Sequence, residues 1–155
     1  MKRITASAAL IAVGFAGVLT LHLRSDSTCF LSDDIRRGER WGTTCKACHD
    51  IAAYPPARRS GGPNLQNVYL SVAGTQPNFS GRPSEPPIVA AREAGIIWND
   101  ANLLDYLKDP QAFLVRATGK RFNKFNYMSF FIGGESNRRD VISYLRALKN
   151  SPQCF

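Results

Sequence analysis

Two cysteines separated by two residues and followed directly by a histidine restrict this chain more than any other feature of its sequence. Cys45, Cys48 and His49 form the pattern C-x-x-C-H. Two thiols at this spacing lie on one turn and reach both vinyl-derived carbons of a porphyrin, while the adjacent imidazole faces the iron. The pattern therefore predicts one covalently bound haem c, attached through both cysteines, with His49 as an iron ligand.

A close cysteine pair has two other common uses, a thiol redox centre and a structural zinc site. A thioredoxin-like C-x-x-C requires a β–α–β setting, which the sequence does not indicate. A zinc site needs four ligands, and Cys29 and Cys154 are a distant second pair. Both alternatives are therefore weaker than haem attachment.

The haem iron has a second axial position, and Met128 is the candidate for it. Of the two methionines the other is the initiator, Met1, and His22 lies far from the motif at the end of an apolar run. A lone methionine is often a filler of the core. Met128, however, precedes the last predicted helix, and methionine opposite histidine raises the haem potential, as suits an electron carrier. We predict Met128 as the second metal ligand beside His49.

The N-terminal residues have the pattern of an export leader. Lys2 and Arg3 precede an apolar run over residues 4–23, which is long enough to span a membrane. We predict a signal peptide or an uncleaved membrane anchor over residues 1–24, a tether over 25–32 and one domain over 33–155. Either form of the leader predicts a domain in the periplasm or at the outer face of the inner membrane.

The remaining pattern is helical, with long loops. Helices are predicted over about 33–44, 88–94, 99–108 and 137–149, the third ending before Pro110. Residues 54–87 are rich in proline and glycine, and 119–134 lack a helical period. No strand pattern appears, so we predict an all-α domain whose long loops surround a large cofactor.

The charge of the chain is basic, with 20 lysines and arginines against 12 acidic residues. Net charge alone does not choose between nucleic acid, anionic lipid and an acidic protein surface. The chain has no tract of basic residues and no nucleic-acid motif, so we expect no nucleic-acid partner.

Several short segments occur together in the order known from one protein family. The chain from Asp33 to Lys149 resembles class I cytochromes c, most closely their mitochondrial and bacterial c2-like branch. With the N-terminal leader, it is also similar to a membrane-anchored bacterial form of that branch. The segments that carry the resemblance are Gly38 before C-x-x-C-H, Gly62-Pro63-Asn64-Leu65, Gly95-Ile96-Ile97-Trp98, Tyr106-Leu107 with Pro110, Met128-Ser129-Phe130-Phe131-Ile132-Gly133, and Asp140 to Leu145 in the last helix.

The resemblance implies the class I cytochrome c fold, with helices and long loops wrapped around one haem. It implies that the Pro63 carbonyl accepts a hydrogen bond from His49 and that Trp98 contacts a haem propionate. The side chains that it places against the haem are Leu65, Tyr106, Leu107 and Phe130.

The function that follows is that of a monomeric one-electron carrier rather than an enzyme. Redox partners of the implied kind are a quinol-oxidising complex, an oxidase or a periplasmic dehydrogenase. The basic side chains expected to steer such partners are Lys46, Lys120, Arg121 and Lys124. The alternative is a haem c enzyme or enzyme subunit with a labile sixth ligand and peroxidase-like or sulfur-oxidising chemistry.

The chain departs from the family pattern in three places. Gly42 stands where the family has an aromatic residue, one position after Trp41, which predicts a reshaped contact with the last helix. The stretches before Met128 and over residues 74–94 are longer, which leaves Arg82 and Arg92 as guesses for propionate contacts. Cys29 and Cys154 flank the helices that pack together in this fold, and they form either a disulfide or free thiols.

Overall fold

The first helix of the domain begins where the sequence turns acidic. In a computed structural model that describes residues 29–51, 62–76, 86–122 and 128–155, helix α1 covers Asp33–Cys45. Asp33 and Asp34 lie in its first turn, where they stabilise the positive end of the helix dipole. Hydrogen bonds from Ser32 and Ser143 lower the pKa of Asp34. The leader over 1–24 and the first half of the tether, 25–28, lie outside the described residues.

Four further helices complete the described fold. They are α2 over Pro86–Glu93, α3 over Asp100–Tyr106, α4 over Pro110–Thr118 and α5 over Glu135–Asn150, and a short 3-10 turn over Pro152–Cys154 follows. Among the described residues the only extended pairing is an isolated antiparallel bridge between Val72 and Ile97. The prediction of an all-α domain is confirmed.

Helix α4 was not predicted, because Pro110 was interpreted as the end of a helix. It is instead a first residue: Asp109 caps α4 by accepting a hydrogen bond from the Ala112 amide at 2.9 Å, and proline suits the first turn, where its missing N–H has no partner to lose. The helix ends at Gly119, whose positive φ of 66° favours glycine. The stretch from Pro110 to Thr118, for which the sequence predicted no element, is therefore helical.

Helices α1 and α5 make the most extensive contact in the fold. A side-chain carbon at Gly38 would overlap the backbone carbonyl of Asp140, so the two helices cross where only glycine fits. At Gly42 the ring of Tyr144 occupies the space that the family's aromatic residue would need. The predicted reshaping at Gly42 is thus a replacement of one aromatic ring by another from the opposite helix.

Two bonds tie these helices together beyond their packing. The Arg37 guanidinium donates to both carboxylate oxygens of Asp140, at 2.7 and 2.9 Å, and Asp140 is buried. Cys29 and Cys154 are joined in a disulfide, with their Cα atoms 5.6 Å apart. Of the two alternatives for these cysteines, the structure thus has the disulfide.

The described helices are too short or too polar to cross a membrane. The hydrophobic core lies between these helices and the loops that connect them. Its most buried large side chains are Leu114, Ile132 and Leu148.

Candidate functional site

The C-x-x-C-H motif lies at the C-terminal end of α1. The helix ends at Cys45, and the amides of Cys48 and His49 both donate to the Cys45 carbonyl, at 3.0 and 2.8 Å. Cys45 is half-buried and Cys48 is exposed, and both are free thiols. One turn therefore presents the two thiols and the imidazole together.

The acidity of Cys45 differs from that of a thiol redox centre. Burial raises the pKa of the Cys45 thiol. A catalytic thiol of the thioredoxin type has a lowered pKa, because the thiolate is the reactive form. The geometry also disfavours a zinc site. Cys29 and Cys154 are bonded to each other, and among the described residues no three His, Cys, Asp or Glu side chains converge on one point.

The orientation of His49 is fixed by one hydrogen bond. Its Nδ1 lies 2.8 Å from the carbonyl oxygen of Pro63, which can only accept, so Nδ1 carries the proton and Nε2 has a free lone pair. Burial lowers the pKa of His49, which favours the neutral imidazole that binds metals. The hydrogen bond expected between these two residues is present.

Glycine is required beside this ring. A side-chain carbon at Gly62 would overlap the His49 imidazole. The loop that carries Gly62 and Pro63 is held in place by two backbone hydrogen bonds of 2.8 Å, from Gly62 to the Cys48 carbonyl and from Leu65 to the Asp50 carbonyl. The loop therefore clamps the imidazole with its Nε2 side available to a metal, and this geometry fits a covalently attached haem.

An aromatic cluster contributes to the core that surrounds this site. Trp98 is buried, with its ring centroid 4.7 Å from that of Tyr106 and 6.0 Å from that of Phe113. Leu107 is buried next to them, and Leu65 packs on the same core. Phe113 was missed from the sequence, although the capping pair Asp109-Pro110 marks the start of the helix that carries it.

The segment that begins at Met128 is held to the core by two hydrogen bonds at Ile132. The Ile132 amide donates to the Leu107 carbonyl at 2.8 Å, and the buried Arg138 donates to the Ile132 carbonyl at 2.8 Å. Met128 itself is half-buried and packs against the core, whereas Phe130 is 38% exposed with its ring 6.4 Å from Trp41. Met128 also borders a cavity of about 490 Å³, with Lys108, Asp109, Pro110, Gln111, Ser129 and Phe131.

The basic residues predicted to steer a partner differ in their surroundings. Lys46 lies between the two haem-motif cysteines and is exposed, as is Arg121. Lys120 forms an ion pair with Glu93 at 2.9 Å. Arg92 is exposed, and Lys124 and Arg82 lie outside the described residues.

Comparison with known proteins gives a consistent set of relatives, although no protein-family model matches the chain. Cytochrome c2 of Rhodopseudomonas palustris is 35% identical over 126 residues, which cover 75% of this chain and 99% of that protein. Cytochrome c2 iso-1 of Rhodospirillum centenum is 35% identical over 119 residues, covering 74% of this chain and 95% of that protein.

Solved structures agree with these relatives. Cytochrome c2 from Rhodobacter sphaeroides superposes with a TM-score of 0.64 at 28% identity, covering 74% of this chain and 95% of the other. Cytochrome c2 from Rhodospirillum centenum gives 0.61 at 31% identity, covering 75% and 98%. The similarity extends over nearly the whole of each relative.

Proposed function

The chain belongs to the cytochrome c2 family and is a haem c electron carrier rather than an enzyme, and from this premise we propose how its residues hold the haem and where it works. Cys45 and Cys48 would carry the two thioether bonds, and His49 and Met128 would hold the iron. The observation that carries the proposal is the 2.8 Å hydrogen bond from His49 to the Pro63 carbonyl, which aims Nε2 at one point.

The bound haem supplies one-electron cycling of its iron between the ferrous and ferric states. The chain's residues orient and shield that centre. The Pro63 carbonyl fixes the His49 ring and makes the imidazole a better donor to the metal. Leu65, Tyr106, Leu107 and Phe130 would pack the ring, and Trp98 would donate its indole N–H to a propionate.

An absorption spectrum of the purified protein with Met128→Ala tests the ligand set. We expect the wild type to show the ferric band from methionine sulfur to iron, and the variant to lose it together with a fall in reduction potential. Phe131→Ala is the matched control, because it changes an exposed neighbour in the same loop. An unchanged spectrum in Met128→Ala would refute the ligation and leave an open or different sixth position, as the enzyme alternative requires.

Partner recognition is proposed to depend on basic charge near the haem. Lys46 is exposed and lies between the two attachment cysteines, so its charge is close to both proposed thioether bonds. Electrostatic steering of an acidic redox partner, such as a quinol-oxidising complex, an oxidase or a periplasmic dehydrogenase, acts mainly on the association rate and weakens with salt.

Replacing Lys46 with glutamate measures this contribution. We expect slower electron transfer to an acidic partner and a weaker dependence of the rate on ionic strength. Arg36→Glu makes the same charge change ten residues earlier, near the start of α1 and about 15 Å away along the helix, and serves as the control. Equal effects of both changes would contradict a role specific to the haem edge.

The location is proposed from the leader. We propose that the domain is exported to the periplasm as a monomer and that residues 4–23 stay in the inner membrane as an anchor. The apolar run is long enough for this role, and Lys2 and Arg3 would keep its start on the cytoplasmic side. An intact mass distinguishes the anchored form from a cleaved one and also reports the attached haem.

A further inference from the structure

A fixed pair of phenylalanines marks the end of the domain where α1 begins. The side chain of Phe30 is 92% exposed, and that of Phe155 is 37% exposed. Each follows a cysteine of the Cys29–Cys154 disulfide, so their Cα atoms are no more than about 13 Å apart. We call these four residues the disulfide pole.

The exposure of Phe30 is unusual because the ring is not on a loose end of the chain. The disulfide holds its neighbour Cys29 against the C-terminal turn. On the other side, Leu31 accepts a hydrogen bond from the Arg36 side chain at 3.1 Å. Single exposed apolar side chains are common on protein surfaces, so what distinguishes Phe30 is its fixed position shortly after the proposed anchor.

The sequence before the pole identifies what covers it. The apolar run ends at Leu23, six residues before Cys29, and six residues extend at most about 20 Å. An anchor that ends at the membrane surface therefore keeps the disulfide pole close to the headgroup zone, which is about 6 Å thick on each side. This step rests on the proposed retention of the leader.

The charges at the pole favour an uncharged lipid surface over an acidic protein. In the first turns of α1, Asp33 and Asp34 balance Arg36 and Arg37, and Arg37 is engaged by Asp140. The pole therefore offers the Phe30 ring and the exposed part of Phe155, whose ring packs on Tyr144, without a net positive charge. Such rings partition into the interfacial zone of a bilayer by their apolar area rather than by attraction to anionic lipid.

We propose that the disulfide pole rests on the outer surface of the bilayer, with the Phe30 ring inserted among the lipid headgroups. Helix α1 then leads from the membrane to the haem motif. Its rise from Asp33 to Cys45 is about 18 Å, so the attachment cysteines are held away from the lipid and open to partners.

Fluorine NMR of the full chain in phosphatidylcholine nanodiscs tests this orientation. The nine phenylalanines are replaced by 4-fluorophenylalanine, the iron is kept ferrous, and a nitroxide is attached to a fraction of the lipid headgroups. Phe30→Leu and Phe131→Leu identify the two resonances by their loss. Phe131 is 65% exposed but adjoins Phe130, which packs on Trp41 in the far half of α1.

We expect the nitroxide to raise the relaxation rate of Phe30 roughly tenfold more than that of Phe131, because the effect falls with the sixth power of distance and α1 rises about 12 Å from Asp33 to Trp41. The enhancement should persist in high salt. Equal enhancements, an effect lost in high salt, or one that scales with protein rather than lipid concentration would overturn the proposal, the last by indicating a second copy. A mass lacking the leader would instead show that the anchor premise fails.

Discussion

Replacing both Cys29 and Cys154 with serine removes the bond that ties the start of α1 to the end of the chain. The two residues are 125 positions apart, so the disulfide closes a loop of almost the whole domain. In the chain-entropy relation a loop of this length restricts the unfolded state by about 16 cal/mol/K, or about 5 kcal/mol at 25 °C. For a domain of this size the melting temperature should fall by roughly 15 °C.

Guanidinium unfolding of the haem-loaded protein, followed by far-UV circular dichroism, measures this loss. All samples are kept ferrous, so that a reductant changes the disulfide and not the iron. We expect the wild type under a strong thiol reductant to unfold at the lower midpoint of the double variant. The variant itself should not respond to the reductant, which makes it the matched control.

A loss below about 1 kcal/mol would refute the reasoning, since it would mean that the unfolded chain is already compact enough to keep its ends together. A large loss with an unchanged denaturant slope supports the entropic account. A large loss with a steeper slope would also be consistent with it, because an unlinked unfolded chain exposes more surface.

Two further predictions concern the α1–α5 crossing. Gly38→Ala should lower the free energy of unfolding in guanidinium by about 1–3 kcal/mol, because the added carbon overlaps the α5 backbone. Gly133→Ala is the control and should lower it less, since the space around Gly133 is open. Equal losses in the two variants would contradict the close approach of the helices. Burial raises the pKa of Tyr144 to about 12, and the charge of Glu39 acts in the same direction. Since the unfolded chain loses this proton near pH 10, wild-type stability should fall from pH 10 to 12 more steeply than that of Tyr144→Phe, and equal slopes in urea titrations would refute this.

What the sequence predicted well was local. The haem motif is recognised from the spacing of its residues within one turn. Helices α1 and α5 were predicted because each is long enough to show a helical period even though its ends are irregular. Pro110 shows the limit of such rules, because proline both ends one helix and starts the next. Only the side chain before it, Asp109, distinguishes the two cases, by capping α4.

What the sequence could not show was long-range pairing. Arg37 and Asp140 are 103 residues apart, and no local sequence pattern predicts that they form an ion pair. The ring that fills the space beside Gly42 belongs to Tyr144, because α1 and α5 cross at this point. The contact of Pro63 with His49 was expected only because a known family has it.

The pairing of α1 with α5 also sets the order of events during synthesis. Of the described helices, α1 is made first and packs its glycines on α5, which is made last, and contacts of such sequence separation close slowly. A chain still being threaded through a ribosome or a translocation pore therefore carries residues 45–49 as an open segment. The two thiols are therefore accessible for as long as the C-terminal helix has not packed on α1.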